Sequence, residues 1–164
     1  MVDYFHVSNE VLESGRMLEC KYGKVILNER YYSDSDHYHN QYLREIIFEE
    51  VRKSNFADKP SRLKSIYLFD EIRLALKYRN DLKKKYIYTV RIEDGSKLLR
   101  TDMNLINLSV GKSIDEIRSL ASRYFSDCKK TDNTEVICEG SVSIENRMHI
   151  VEAYGMLFLL YSNG

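Results

Sequence analysis

His6 is the first residue here whose type and setting suggest chemistry. It stands in Tyr4-Phe5-His6-Val7-Ser8, an aromatic and β-branched run that reads as a strand. The alternative is a histidine that serves only the core or the surface. His37 and His39 alternate across one residue, so on a strand they would share a face. With Asp34 and Asp36 beside them they supply metal-ligand types, but a metal needs a third or fourth ligand in fixed geometry, and a solvated polar loop is the expectation. Cys20, Cys128 and Cys138 are odd in number and far apart, which makes neither a disulfide framework nor a zinc motif. Lys77, Arg79, Lys83, Lys84 and Lys85 form a basic run with Tyr78 and Tyr86 interleaved. That run reads as a solvated helix end or as a contact for nucleic-acid phosphates. No G-x-G-x-x-G, G-x-x-x-x-G-K-[ST], G-x-S-x-G or H-E-x-x-H pattern occurs, which disfavours Rossmann, P-loop, nucleophile-elbow and zincin chemistry.

The elements that must position these residues alternate irregularly. Strands are expected at Tyr4–Ser8, Arg16–Cys20, Ser65–Phe69, Tyr86–Ile92 and Thr134–Cys138, with short strand pieces at Ser141–Ile144, Met148–Val151 and Tyr154–Tyr161. A helix is expected over Gln41–Ser54, with Leu43, Ile46, Ile47, Glu50 and Val51 along one side and Glu45, Glu49 and Arg52 on the others. A second runs from Glu71 to about Leu82 behind an Asp70 cap, and a third follows the Ser113–Glu116 capping box. Lys21–Lys24 reads as a turn, residues 31–40 as a surface loop, and Lys97–Leu108 gives no clear pattern. Strict β-α alternation fails, so the fold class is α+β: a single compact domain over residues 1–164 with split mixed or antiparallel sheets and flanking helices.

Composition agrees with a globular chain. The sequence has 164 residues, 43% hydrophobic and 30% charged, with 25 basic against 25 acidic side chains. A zero formal charge excludes a generic basic nucleic-acid coat and an acidic tail protein, though not a local basic patch. No apolar run approaches the length of a membrane span, and the opening residues lack a secretory pattern. The expectation is a cytoplasmic protein that does not engage a membrane.

Taken in order, several segments resemble ADP-ribosyltransferases of the His-Tyr-acid type. Tyr4-Phe5-His6-Val7-Ser8 followed by Gly15-Arg16-Met17-Leu18 is similar to the opening of that fold, with Val7-Ser8 where the family has Gly-Thr. Ser65-Ile66-Tyr67-Leu68-Phe69, the following helix with Ala75, Tyr86-Ile87-Tyr88-Thr89-Val90 and Thr101-Asp102-Met103-Asn104-Leu105 resemble later motifs of the small rifampin ADP-ribosyltransferases. Asn133-Thr134-Glu135-Val136-Ile137 resembles the strand that carries the acid in protein-modifying transferases. The chain also resembles a bacterial and phage family of uncharacterised domains with a Glu-rich helix ending in Arg and a Pro-Ser-Arg motif, here Glu45, Glu49, Arg52 and Pro60-Ser61-Arg62.

The resemblance implies NAD as substrate, cleavage of its nicotinamide–ribose bond, and transfer of ADP-ribose to a protein, a nucleic acid or a small molecule, in a toxin, phage, defence or drug-modifying setting. It implies that Asp102 or Glu135 supplies the negative charge that the ribosyl cation needs, and that Tyr67 stacks on nicotinamide. His6 and Ser8 would contact the ribose side of NAD, and Arg62 or Arg52 the pyrophosphate. Each has a plainer alternative: core packing for Tyr67, a cap or turn acid for Asp102, a surface ion pair with a helix glutamate for both arginines. Val7 in the Gly position raises the alternative of a binding module without catalysis, since glycine lets a ligand approach the backbone. An NAD glycohydrolase with water as acceptor is the remaining alternative.

Overall fold

A computed structural model describes residues 3–33, 35–107, 109, 111–126, 130–153 and 156–161. In chain order these form β1 (Tyr4–Ser8), α1 (Tyr22–Ile26), α2 (Glu29–Tyr32), α3 (Asp36–Asn55), a 3₁₀ turn (Arg62–Lys64), β2 (Ile66–Leu68) and α4 (Ile72–Asp81). Then follow β3 (Tyr86–Ile92), β4 (Lys97–Asp102), α5 (Asn104–Asn107), α6 (Ile114–Phe125), β5 (Thr134–Glu139), β6 (Val142–Ala153) and β7 (Met156–Tyr161). The class is α+β, with two small sheets in the orders β1-β3-β6-β7 and β2-β5-β4. The chain divides into two compact units, one of residues 1–18, 68–94 and 141–164, the other of residues 19–67 and 95–140. Among the described residues no helix is long and apolar enough to cross a membrane.

In the first unit, β1 pairs antiparallel with β3, setting His6 opposite Tyr88 and Ser8 opposite Tyr86. β3 pairs antiparallel with β6 through a bulge between Thr89 and Val90, and β6 with β7. Phe5, Phe69, Leu74, Ala75, Ile87, Val90 and Ile144 are buried here. Tyr88 is also fully buried and finds partners for its hydroxyl, as a buried phenol must. It donates to the Glu10 carbonyl at 3.0 Å and accepts from the Leu12 amide at 3.0 Å, which fixes the segment after β1.

In the second unit β4 and β5 pair antiparallel with Leu99 opposite Ile137, Thr101 opposite Glu135 and Asp102 opposite Thr134. Ile47, Phe48 and Val51 of α3 and Leu120, Ala121, Tyr124 and Phe125 of α6 close over Leu99 and Ile137. Each fully buried aliphatic or phenylalanine side chain contributes about 1.5–3 kcal/mol of transfer free energy, so this stripe holds the unit together. The capping box forms as the sequence suggests: the Ser113 hydroxyl accepts from the Glu116 amide, and the Glu116 carboxylate accepts from the Ser113 amide at 2.9 Å.

Several elements depart from expectation. Residues 31–40 are not a loop where described: α2 ends there and α3 begins at Asp36, with the Ser35 hydroxyl accepting from the Tyr38 amide as the cap. An N-terminal turn that is exposed apart from the half-buried Tyr38 has no apolar stripe to reveal it. His37 and His39 therefore sit on a helix, and among the described residues no group of three or more His, Cys, Asp or Glu is placed to hold a metal ion. Lys21–Lys24 is part of α1 and its cap rather than a turn, and Arg16–Cys20 reduces to a single bridge from Met17 to Ser143. Glu71, not Asp70, is the N-cap of α4, and makes no side-chain cap bond. The expected strand pieces at 141–144, from Val142 onward, and at 148–151 belong to one long strand, β6. The expectations attached to Asp34, Leu108, Cys128 and Tyr154 lie outside the described residues.

Candidate functional site

The second unit encloses a guanidinium. Ser61 enters the 3₁₀ turn in extended conformation, and the turn carries Arg62 inward to 5% exposure. A charge that deep requires partners. Arg62 Nε donates to Glu45 Oε2 at 2.9 Å and Nη2 to Glu45 Oε1 at 3.3 Å, a two-pronged pair with a carboxylate that is itself fully buried on α3. Arg62 Nη1 donates to Glu135 Oε1 on β5 at 3.2 Å and to the Tyr124 hydroxyl on α6. Tyr124 in turn donates to Glu135 Oε1 at 2.8 Å, and Tyr67 donates from β2 to the Arg62 carbonyl at 2.9 Å. Glu45 Oε1 also accepts from the Tyr22 hydroxyl at 2.8 Å and from Arg44 Nη2 at 3.0 Å. The rings of Tyr124, Tyr67 and Tyr22 have centroids 4.8, 5.3 and 5.8 Å from Arg62 Cζ, within cation–π range.

Two arginines and two carboxylates thus balance, and the surrounding phenols stay neutral. Burial, then the Glu45 charge, pushes the Tyr22 phenol up to about 12. Burial likewise raises Tyr67 and Tyr124 well above the usual phenol range, so both remain donors. The two acids move in opposite directions. Burial alone would raise Glu45, but the Arg62 and Arg44 guanidiniums outweigh it and hold the carboxyl below its usual value. Burial wins at Glu135, whose carboxyl is raised although Arg62 and Tyr124 oppose the rise. Among the described residues its contacts run through Oε1.

A second network borders the first. Arg52 clasps Glu49 through Nη2 at 2.8 Å and Nε at 2.9 Å, and its Nη1 donates to the Lys59 carbonyl at 3.1 Å. The Ser61 hydroxyl donates to Glu49 Oε2 at 2.8 Å and its amide to Glu139 Oε2 at 2.8 Å. These bonds staple the segment that leads into the Arg62 turn.

One glycine permits the closure. A Cβ added at Gly23 would lie 1.9 Å from the Leu63 carbonyl oxygen, which is backbone and has little room to yield. Gly23 therefore lets α1 press against the 3₁₀ turn, and this approach delivers Tyr22 to Glu45. Gly23→Ala is expected to destabilise by about 1–3 kcal/mol, as overpacking does, and to loosen the Tyr22–Glu45 bond. Urea unfolding followed by tyrosine fluorescence measures both. An unchanged midpoint would show that the approach is not tight.

Of the residues singled out in the sequence, the structure brings Arg62, Tyr67 and Glu135 together. Asp102 occupies the next register position, so it points to the opposite face of the sheet from Glu135. Its Oδ1 accepts from the Asn104 amide at 2.9 Å, the turn acid of the plainer alternative. Arg52 and Arg62 do pair with helix glutamates, but inside the unit rather than at its surface. His6 and Ser8 stand on β1 in the first unit, where Ser8 Oγ accepts from the Glu10 amide at 3.0 Å. The sequence pattern does not point to Tyr22, Arg44 or Tyr124, and it places Glu45 on another face of its helix from the apolar positions. The buried positions 44, 45, 47, 48 and 51 trace one helical stripe, while Leu43 and Ile46 are exposed at 42% and 37%. The available signal was Glu45 at core spacing with Phe48 and Val51, together with a lone buried-type arginine in Pro60-Ser61-Arg62.

The chain belongs to the family described as a protein of unknown function, DUF2441, whose model matches residues 4–152. No curated protein matches it.

Proposed function

We propose that this family member is an NAD-dependent ADP-ribosyltransferase with Glu135 as its acid. The observation that carries the reading is the meeting of Tyr67 and Glu135, from β2 and β5, around the Arg62 guanidinium. The α+β class with two small sheets supports it as well.

The chemistry follows from charge. The bond between ribose C1′ and the nicotinamide nitrogen breaks, and its electron pair leaves with neutral nicotinamide. The ribosyl cation left behind is stabilised by a fixed carboxylate, which needs no reorganisation at that moment. A lone pair of the acceptor then forms the new bond to C1′, and the acceptor's proton passes to solvent. Glu135 provides the carboxylate. Arg62 and Tyr124 hold it in place and restrain its protonation. Tyr67, neutral and tied through its hydroxyl, presents a ring of fixed orientation for stacking on nicotinamide.

Incubation with NAD labelled in the adenylate phosphate, in the presence of cell extract, is expected to transfer label to a macromolecule and release nicotinamide. Protease or nuclease treatment then assigns the acceptor, and NAD loss without macromolecular label indicates a small-molecule acceptor or hydrolysis. Untouched NAD would overturn the catalytic reading. One observation favours a second reading, a binding module without turnover: Arg62, Glu45 and Glu135 satisfy one another in the way a core staple does. That reading expects no nicotinamide release and a partner bound by the unmodified protein.

A further inference from the structure

We propose that the C-terminal end of α4 and the start of β3 form a surface for single-stranded nucleic acid, held by its phosphates and by stacking of a base on Arg147. Asp81 is the one acid in the segment Lys77–Tyr86, against five basic side chains. Two other cations of this unit are paired, Arg73 with Glu71 at 3.3 Å and Arg91 with Glu145 at 3.1 Å. Among the described residues no ion pair takes Arg79, Lys83, Lys84, Lys85 or Arg147. Unpaired cations gathered in a chain of zero net charge make a local positive field rather than a general one.

The lysines are not a frayed tail. The Lys83 amide donates to the Asn80 carbonyl at 3.2 Å and the Lys84 amide to the Arg79 carbonyl at 2.8 Å, closing the helix in the manner of a Schellman turn. Lys83 sits at φ 51°, the left-handed position that glycine fills at least cost, so a long cation is carried there against backbone preference. The chain then enters β3 at Tyr86, and the exposed Arg147 on β6 lays its guanidinium over that ring, 4.3 Å from the centroid. A planar guanidinium supported from beneath is a platform on which an unpaired base stacks, next to cations spaced for the phosphates. An anionic membrane would need a broad apolar face beside the cations, whereas the segment exposes one large aliphatic side chain, Leu82.

The test is fluorescence anisotropy of a labelled single-stranded oligonucleotide with the full chain over a salt series, and it does not depend on NAD turnover. Log affinity is expected to fall linearly with log salt, by roughly 0.7 per phosphate contacted, and the Lys83→Ala/Lys84→Ala/Lys85→Ala variant to flatten that slope by about 2. Arg147→Lys keeps the charge and loses the stacking plane, so it is expected to weaken binding about tenfold with the slope unchanged. Lys83, Lys85 and Arg147 are exposed and Lys84 is half-buried, and unfolding midpoints equal to wild type confirm that the variants fold. No salt-dependent binding, an unchanged slope in the lysine variant, or equal affinity for phosphatidylserine vesicles or polyglutamate would overturn the proposal.

Discussion

Arg62→Met is expected to lower the folding stability at pH 7 by about 3–5 kcal/mol, the cost of removing one partner from a buried ion pair. The whole stability of a domain is about 5–15 kcal/mol, so this single change consumes much of it. Methionine matches the length of the arginine stem and leaves little cavity. The loss therefore reports electrostatics: Glu45 and Glu135 are left in a dry interior with only Arg44 and phenolic donors nearby. The companion variant Arg62→Met/Glu45→Gln/Glu135→Gln is expected to recover a large part of the loss, because the penalty lies in uncompensated charge. Urea midpoints measure both. A loss under about 1 kcal/mol in the single variant would show that water reaches the cluster and screens it, as at a surface pair.

The same variant has a pH signature. In the wild type Glu45 is held below its ordinary value, so its stabilising contribution is present above about pH 4.3 and is lost as pH falls through the lowered value. Without Arg62, burial is left to raise the carboxyls. A raised acid stabilises the folded state fully below its unfolded value, and that contribution is lost as pH rises through the folded one. Acidification from pH 7 toward about pH 4.5 should therefore narrow the gap between variant and wild type. A gap that stays constant with pH would place the cost in packing instead.

What the sequence disclosed follows from where each signal is stored. β3 and α6 were legible because their signals are local: a run of β-branched and aromatic residues, and a capping box ahead of an apolar stripe. β4 was not, because Leu98 is exposed and Thr101 is fully buried with its hydroxyl on the Tyr124 carbonyl at 2.8 Å, which inverts the usual polarity of a strand face. The Arg62 cluster was visible only in part. Tyr67 and Glu135 stood out as residue types within recognisable strands. The pattern places Glu45 on another face from the apolar positions, since charged residues are almost never buried unless paired, and the pairing partner lies 17 positions along the chain. Arg62 and Glu135 are separated by 73 positions. Long-range pairing of this kind leaves no periodic trace, so a core held by charge reads in sequence as an ordinary polar helix face.

The choice between the two candidate acids is where structure adds most, and Glu135→Gln tests it. On the proposed reading the variant is expected to lose about 10²–10³ in ADP-ribose transfer, the cost of removing one preorganised electrostatic group from the transition state. Glutamine retains an oxygen to accept from Tyr124 and Arg62 and leaves Arg62 paired with Glu45, so the unfolding midpoint should fall by less than in Arg62→Met, which strands two carboxylates. Asp102→Asn should keep its turn bond to the Asn104 amide and leave the rate near wild type. The pH profile separates catalysis from scaffolding. Transfer needs the ionised carboxylate, and the Glu135 carboxyl is raised by burial, so the wild-type rate should climb as pH rises through that raised value. Glu135→Gln should lose this climb together with the rate. A variant that loses stability but keeps the wild-type pH profile would make Glu135 a structural partner of Arg62. Loss of transfer in Asp102→Asn, with Glu135→Gln unaffected, would move the acid to the other face of the β4–β5 pair.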